Sequence, residues 1–485
     1  MNKVAIKNFA IWARRKLISD ITYKAGMLGV TENGIAQPLP QSTRDLQFFD
    51  IGTKDYAEVS GTAIEQRNAL IKTIKAKEQG TDYKTAFRNV VEEVAYTWFN
   101  RLIAVRFMEV NDYLPSKIRV LSSEREGKLE PDFVTTPFDT NLDFTPYEKD
   151  LIYELKDSNK LDELFRLLFI KQCNKLSEIL PGLFETISDY TELLLNISFT
   201  DKDGIVYHLT HDISEDEFNV EKEGQVEIIG WMYQYYNTEP KDEVFALLKK
   251  NVKITKERIP AATQLFTPDW IVRYMVENSL GRLWVEGHPN ETLKTNWKYY
   301  LEEAEQEPDV QEQLKKIREE YAKLNPTDIK VIDPCMGSGH ILVYAFDVLM
   351  QIYTGQGYIE RDAAKLILQN NLYGIDIDTR AYQLAYFAVM MKARQYNRKI
   401  FSEHITPNLI AIKNPENISK SVLKRLGGLE PLGLRLVEDF EDAEEYGSIL
   451  QVDYTEEELQ RLEKRLDEIV KEAEYREAEH KYEGA

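Results

Sequence analysis

The stretch that decides the fold is "VIDPCMGSGH", Val331 to His340. A short apolar run ends in an acid, a glycine turn follows, and "ILVYAFDVLMQIY" continues as an apolar helix. A strand–turn–helix of this kind presents backbone N–H groups and partial positive charge at the start of the helix, which suits an anionic group. Gly337 and Gly339 let the backbone approach a ligand closely, because neither carries a Cβ. A phosphate loop is excluded, since the lysine and the spacing it requires are both missing. A dinucleotide fingerprint is met at only two of its three glycine positions, with Leu342 at the third. Cys335 and His340 lack the further cysteines or paired histidine of a structural metal site, and "HLTH" (His208, His211) reads as surface histidines in a polar loop. No metal is expected.

What remains is a ligand with a carboxylate at one end and a ribose further on. The ribose needs an acid at the end of the neighbouring strand, and "YGIDID" supplies Asp376. S-adenosylmethionine carries both groups. Around the turn, "IKVID", "NLYGIDID" and "PNLIAI" read as strands separated by the helices "ILVYAFDVLMQIY", "RDAAKLILQN" and "RAYQLAYFAVMMKARQY". That alternation argues for a parallel, doubly wound sheet.

The rest of the chain sets the context. At 485 residues, two or three domains are expected. Residues 1–250 read as a helical domain. In "TAFRNVVEEVAYTWFNRLIAVRFMEVNDYL", Phe87, Val91, Val94, Ala95, Trp98, Leu102, Val105 and Met108 recur at helical spacing. "KLDELFRLLFIKQCNKLSEILPGLF" forms a second helix ended by Pro181 and Gly182, and "GQVEIIGWMYQYYN" a third. Residues 251–432 hold the ligand-binding half of the α/β domain, with Thr267 as an N-cap and Pro268 at the first helical position. Residues 433–485 turn acidic, and Leu459, Leu462, Leu466, Ile469 and Ala473 form a heptad-like stripe.

The net charge of −21 repels nucleic acid at long range, so any such contact must come from local basic patches. Lys3, Lys7, Arg14, Arg15 and Lys16 on the first helix are one candidate, against the commoner solvated helix face. Two cysteines give no disulfide framework, and no signal peptide or run near the roughly 20 apolar residues of a membrane span is present. A cytoplasmic protein is expected, with no membrane partner.

"DPCMGSGHIL" resembles the first motif of S-adenosylmethionine-dependent DNA adenine methyltransferases, and "GIDID" resembles their second. "QLFTPDWIVRYM" is similar to the Phe-Thr-Pro motif that precedes the cofactor loop in those enzymes and in type I modification subunits. Together with "NFAIWARRKL", "AYTWFNRLIAVRFMEVNDYLP" and "PAATQLFTPDWIVRYMVENSLG", the whole chain resembles the PglX family of adenine methyltransferases of bacterial BREX phage-defence systems. The resemblance implies an α-helical N-terminal domain plus an α/β Rossmann-like methyltransferase domain, with S-adenosylmethionine as cofactor and double-stranded DNA as substrate. Gln264, Phe266, Thr267 and Pro268 would line the cofactor pocket. Asp333, Cys335, Gly337, Ser338 and Gly339 would hold the methionine end, Asp376 the ribose hydroxyls, and Ile377 would pack on the adenine. A plain core role for Phe266 and a helix cap for Thr267 are the competing readings.

One motif of the family has no counterpart. The Asn-Pro-Pro-Tyr tetrapeptide, whose Asn side chain and Pro carbonyl accept from the target amine while the aromatic ring stacks on the base, does not occur. "KNPENI", Lys413 to Ile418, carries Glu416 and Asn417 in place of Pro and the aromatic residue, and reads as a loop. No catalytic residue is therefore assigned. The α/β domain is expected to be incomplete, with one edge of the first strand unpaired and open to another chain. The enzyme reading makes this chain the cofactor half of a site-specific adenine methyltransferase, inactive without a polypeptide carrying the missing C-terminal half. The alternative is an inactive methyltransferase-like scaffold that assembles with other BREX defence proteins. An oxidoreductase is disfavoured by Leu342, and an acidic DNA mimic rests on charge alone.

Overall fold

The computed structural model describes residues 1–185, 190–222, 224–255, 258–415, 418 and 420–483. The N-terminal half is built on two long helices. Asn2 caps helix Lys3–Met27 by accepting from the Ala5 N–H at 3.1 Å. Ile6, Phe9, Ala10, Ala13, Leu17 and Ile21 then recur at three- and four-residue spacing and are buried. Asp82 caps helix Tyr83–Val110 in the same way through Thr85. From Val94 onward this helix is buried on nearly every side, so it forms the axis of the helical region. Helices Lys3–Met27 and Ile228–Tyr236 pack together, and both helix Tyr83–Val110 and helix Ile228–Tyr236 contact helix Thr379–Tyr396 of the α/β region.

Several local expectations are corrected. The first 250 residues are not helical throughout. β1 (Val30–Thr31) pairs with β2 (Gly34–Ile35) and β3 (Leu46–Phe49) with β4 (Ala57–Ser60), both antiparallel. Glu32 and Asn33 supply the tight turn of the first pair, a signal masked by the long helical runs on either side. Helix Leu161–Leu176 stops well short of Pro181, because the residue before a proline is driven out of the α conformation and the chain loosens into turns first. His208 and His211 lie on helix Ile205–His211, not in a loop. His208 bonds Asp212 at 2.7 Å and packs on Trp12, while His211 stacks on Tyr207.

β5 (Val331–Asp333), β6 (Leu372–Asp376) and β7 (Asn408–Ala411) form a parallel sheet in the order β5-β6-β7. Asp333 lies opposite Gly374, and Asp376 opposite Ala411. Among the described residues, β5 pairs with β6 alone. Helix His340–Gly355 buries Leu342, Val343, Ala345, Phe346, Val348, Leu349 and Ile352, as its almost wholly apolar sequence requires. Ile332 and Ile410 remain largely exposed.

The apolar core runs unbroken from Ile6 to Leu409, and Phe107 meets Phe387 with ring centroids 6.1 Å apart. Leu423, Leu426, Leu462 and Ile469 form a separate cluster. Of the stripe expected on the acidic helix Glu456–Glu483, Leu462 and Ile469 are thus buried and Leu459 and Leu466 exposed, while the Ala473 side chain lies outside the described residues. Glu416 and Asn417 of the "KNPENI" stretch lie outside the described residues. None of the described helices is long and apolar enough to cross a membrane.

Candidate functional site

The glycine turn is held by its two acids. Asp333, at the end of β5, accepts from the Cys335 N–H through Oδ1 at 3.1 Å. Its Oδ2 is buried with no partner. Asp376, at the end of β6, accepts from the Gly337 N–H at 2.8 Å through Oδ2 and from the Asp378 N–H at 2.8 Å through Oδ1. The Met336 N–H donates to the Ile375 carbonyl at 3.0 Å, which ties the turn to β6 a second time. Burial pushes both carboxyls above the ordinary carboxylate range; Asp333 is lifted further by the charge of Asp376, and Asp376 by that of Asp378.

The two glycines of the turn differ. Both have positive φ, +54° at Gly337 and +81° at Gly339. A Cβ at Gly339 would stand 3.0 Å from the Cα and Cβ of Ala385, on the neighbouring helix. A Cβ at Gly337 would meet nothing within 4 Å. Gly339 is thus a packing position, while Gly337 faces open space beside two acids. Ser338 between them is buried, and the Cys335 thiol is exposed.

The Phe-Thr-Pro segment reaches the turn through His340. Phe266 stacks on the His340 ring with centroids 4.4 Å apart and planes 5° from parallel. The Thr267 carbonyl accepts from His340 Nδ1 at 3.0 Å. Phe266 is buried in the angle between His340 and Trp231, its centroid 4.6 Å from the latter. Gly230 makes room for it, since a Cβ there would fall 2.0 Å from the Phe266 ring. Gln264 is buried and donates to the Tyr233 carbonyl at 3.0 Å, while its own carbonyl accepts from Lys241 at 2.6 Å. It therefore fastens the segment to the helical region. The expected cap shifts by one residue: Pro268 occupies the N-cap position, Asp269 begins helix Asp269–Val276, and Thr267 makes no side-chain cap bond. A proline at the cap removes the side-chain acceptor that Thr267 was expected to provide.

Asp376 is thus bonded directly to Gly337, and Asp333 to Cys335 of the same turn, and Phe266 and Thr267 join the turn through His340. Ile377 is partly covered, with Gly447 close enough that a Cβ there would lie 3.1 Å from its side chain. Sequence reasoning missed four contributors. Asp378 caps helix Thr379–Tyr396 through the Arg380 N–H, pairs with the Arg380 guanidinium at 2.9 Å and accepts from the Tyr233 hydroxyl at 3.2 Å. The capping signal "DTR" was present in the sequence. His340, and Glu227 with Asp269 beside it, had no such signal, because the chain brings them together from three distant segments.

The basic first helix is largely engaged within the protein. Arg14 pairs with Glu92 and Glu239, Arg15 with Glu239, and Lys16 with Asp20. Lys3 lies 3.9 Å from the Trp231 ring centroid.

The chain is similar to known DNA methyltransferases. Residues 301–425 match the family described as MmeI, DNA-methyltransferase domain. The chain is 44% identical over 427 residues to the adenine-specific methyltransferase PglX of Lacticaseibacillus casei (strain Zhang), covering 85% of this chain and 34% of that protein. It is 40% identical over 423 residues to the adenine-specific methyltransferase BrxX of Escherichia coli O9:H4 (strain HS), covering 85% of this chain and 32% of that protein. The chain spans about a third of the length of these curated relatives.

Proposed function

We propose that this chain is the cofactor-binding part of a site-specific DNA adenine N6-methyltransferase of a BREX-type phage-defence system, and that it binds S-adenosylmethionine at the 333–339 turn. The observation that carries the reading is the pair of acids around an open glycine. Asp333 offers a buried, unpartnered oxygen to an ammonium, and Asp376 has lone pairs left on both oxygens for ribose hydroxyls. Gly337 leaves the space between them free. The residues fit the cofactor at both of its polar ends.

When bound, S-adenosylmethionine supplies an electrophilic sulfonium methyl group. The chain's own residues orient it. Asp333, Cys335, Gly337 and Ser338 hold the methionine end, Gly339 seats the turn against helix Thr379–Tyr396, and Asp376 and Ile377 hold the adenosine. Gln264, Phe266, Thr267 and Pro268 close the pocket from the helical side. The Asn-Pro-Pro-Tyr tetrapeptide that would grip a flipped adenine is not part of these 485 residues. Transfer therefore requires a polypeptide stretch that carries it, and the side of β5 left unpaired among the described residues is where further strands would add. Residues 1–250, 251–432 and 433–485 then act as helical scaffold, cofactor half and acidic appendage.

Calorimetric titration with S-adenosylmethionine, followed by methyl transfer to double-stranded DNA with and without such a polypeptide, tests the reading. Cofactor binding without transfer by the chain alone is the expected result. Transfer by the isolated chain refutes the division of labour. A folded chain that binds no S-adenosylmethionine refutes the cofactor assignment and favours a scaffold that assembles with defence partners.

A further inference from the structure

We propose that Glu227, Asp269 and His340 form a site for one divalent transition-metal cation of the zinc or manganese class, joining the helical region to the Phe-Thr-Pro segment and the cofactor-loop helix. The proposal stands independently of the methyltransferase reading. One ligand atom from each of the three side chains lies within 4.8 Å of the others. His340 is only 7% exposed, and its Nε2 is buried with no hydrogen-bond partner.

The tautomer follows from geometry. Nδ1 lies 3.0 Å from the Thr267 carbonyl, which can only accept, so Nδ1 carries the hydrogen. In the neutral ring Nε2 is then a bare lone pair, and it faces two carboxylates. Burial lowers the basicity of His340 and so keeps the ring neutral. Burial also raises the Glu227 carboxyl above the ordinary carboxylate range, so three acceptors meeting here are unfavourable unless a proton or a cation lies among them.

The spacing distinguishes a metal from a shared proton. His340 Nε2 stands 4.0 Å from Asp269 Oδ1, too far for a hydrogen bond. Ligand atoms bound to one metal by bonds of about 2.0–2.2 Å stand roughly 3–4.4 Å apart. The second interaction of His340 also fits, because a metal-bound imidazole usually donates its other N–H to a carbonyl or carboxylate. One imidazole and two carboxylates suit zinc, manganese or ferrous iron more than a soft ion.

The charges around the site leave room for a cation. Arg273 donates to Asp269 Oδ2 at 2.7 Å, so Oδ1 stays available. Lys3 and Arg273 act on His340 electrostatically, and Lys392 and Asp347 act on Glu227. These lysines and Arg273 weaken cation binding, and the two carboxylates and Asp347 favour it.

The test is titration of the metal-free chain with Co²⁺, read by visible absorption, and with Zn²⁺, read by calorimetry, both without S-adenosylmethionine. One equivalent is expected to bind, with no thiolate charge-transfer absorption and a raised melting temperature. Asp269→Asn, at an exposed and isosteric position, weakens binding at least tenfold, as does Glu227→Gln, and the double variant abolishes it. Circular dichroism of Asp269→Asn establishes that the fold is retained. The proposal is overturned if the native chain takes up neither metal at millimolar concentration, if both variants bind as the native chain does, or if a thiolate band places the metal on Cys335.

Discussion

Replacing each glycine of the turn by alanine separates its structural role from its ligand-facing role. Both positions are left-handed, at φ +54° for Gly337 and +81° for Gly339, so each alanine stores about 1–2 kcal/mol of backbone strain. At Gly339 the new methyl also meets the backbone of Ala385 at 3.0 Å, inside a helix buried on both flanks. Backbone cannot swing aside as a flexible side chain would, so overpacking adds about 1–3 kcal/mol. Gly339→Ala is therefore expected to lose about 2–5 kcal/mol of stability, and Gly337→Ala only the strain of about 1–2 kcal/mol. Ligand binding should rank the other way among folded molecules. The Gly337 methyl enters open space beside the turn where S-adenosylmethionine is proposed to bind, and should weaken its binding tenfold or more, equivalent to about 1.4 kcal/mol. Urea unfolding followed by tryptophan fluorescence, paired with calorimetric titration of S-adenosylmethionine, reads both quantities. Equal destabilisation by the two alanines, or native affinity in Gly337→Ala, refutes the reasoning.

Asp376→Ala removes the acceptor for the Gly337 and Asp378 N–H groups as well as for the ribose. Calorimetry should show affinity for S-adenosylmethionine reduced more than tenfold, since hydrogen bonds to a charged group contribute about 1.5–3 kcal/mol each. Binding should also fall as pH drops, and at a higher pH than ordinary carboxylates titrate, because burial raises both Asp333 and Asp376. Ligand-free stability should respond with the opposite sign. A carboxyl raised on folding contributes most below its unfolded value and loses that contribution as pH rises through its folded value, so both acids oppose folding at neutral pH. A pH series of affinity and of urea midpoint checks the pair, and Asp376→Asn should flatten the affinity curve. Gly230→Ala places a methyl 2.0 Å from the Phe266 ring and should destabilise the chain by about 1–3 kcal/mol in urea unfolding. Glu109→Ala removes the nearer carboxylate of buried Arg106, 2.6 Å from its guanidinium, leaves it only Glu215 at 3.6 Å as an ionic partner, and frees the Val120 and Leu121 N–H groups; it should cost about 3 kcal/mol in the same assay.

The order of strands, the glycine turn and the two acids were legible in the sequence because each is written in consecutive residues. "VIDPCMGSGH" and "YGIDID" state their own strand ends, and the apolar run after His340 states its helix. The structure pairs those strands in parallel and bonds Asp376 to Gly337 across them. What the sequence could not convey was tertiary adjacency. Phe266 reads as a pocket-wall residue with plain core as the competing reading, and the structure buries it above Gly230, stacked on His340. His340 is weighed in the sequence only beside Cys335, because Glu227 and Asp269 are remote from it along the chain. The β1–β2 and β3–β4 pairs were hidden for a different reason: strands of two and four residues are too short for a period of two to stand out between helices.

The tight seating of the helical region on the α/β unit explains why the two are carried on one chain. Asp378, two residues beyond Asp376, is gripped by Tyr233 from the helical side and by Arg380 from its own helix. Arg380 in turn lies over Tyr96, its guanidinium carbon 4.9 Å from the ring centroid. Because Asp376 accepts from the Asp378 N–H, any shift of that grip moves the carboxylate proposed to hold the ribose. A polar link of this kind, buried where its groups are strongly coupled, fixes orientation more than it adds stability. Tyr233→Phe should therefore leave the urea midpoint within about 1 kcal/mol of native, the net worth of one hydrogen bond. It should weaken S-adenosylmethionine binding by several-fold all the same, although Tyr233 touches no expected ligand atom. Unchanged affinity in a folded Tyr233→Phe chain would mean that the helical region shields the cofactor half without positioning it.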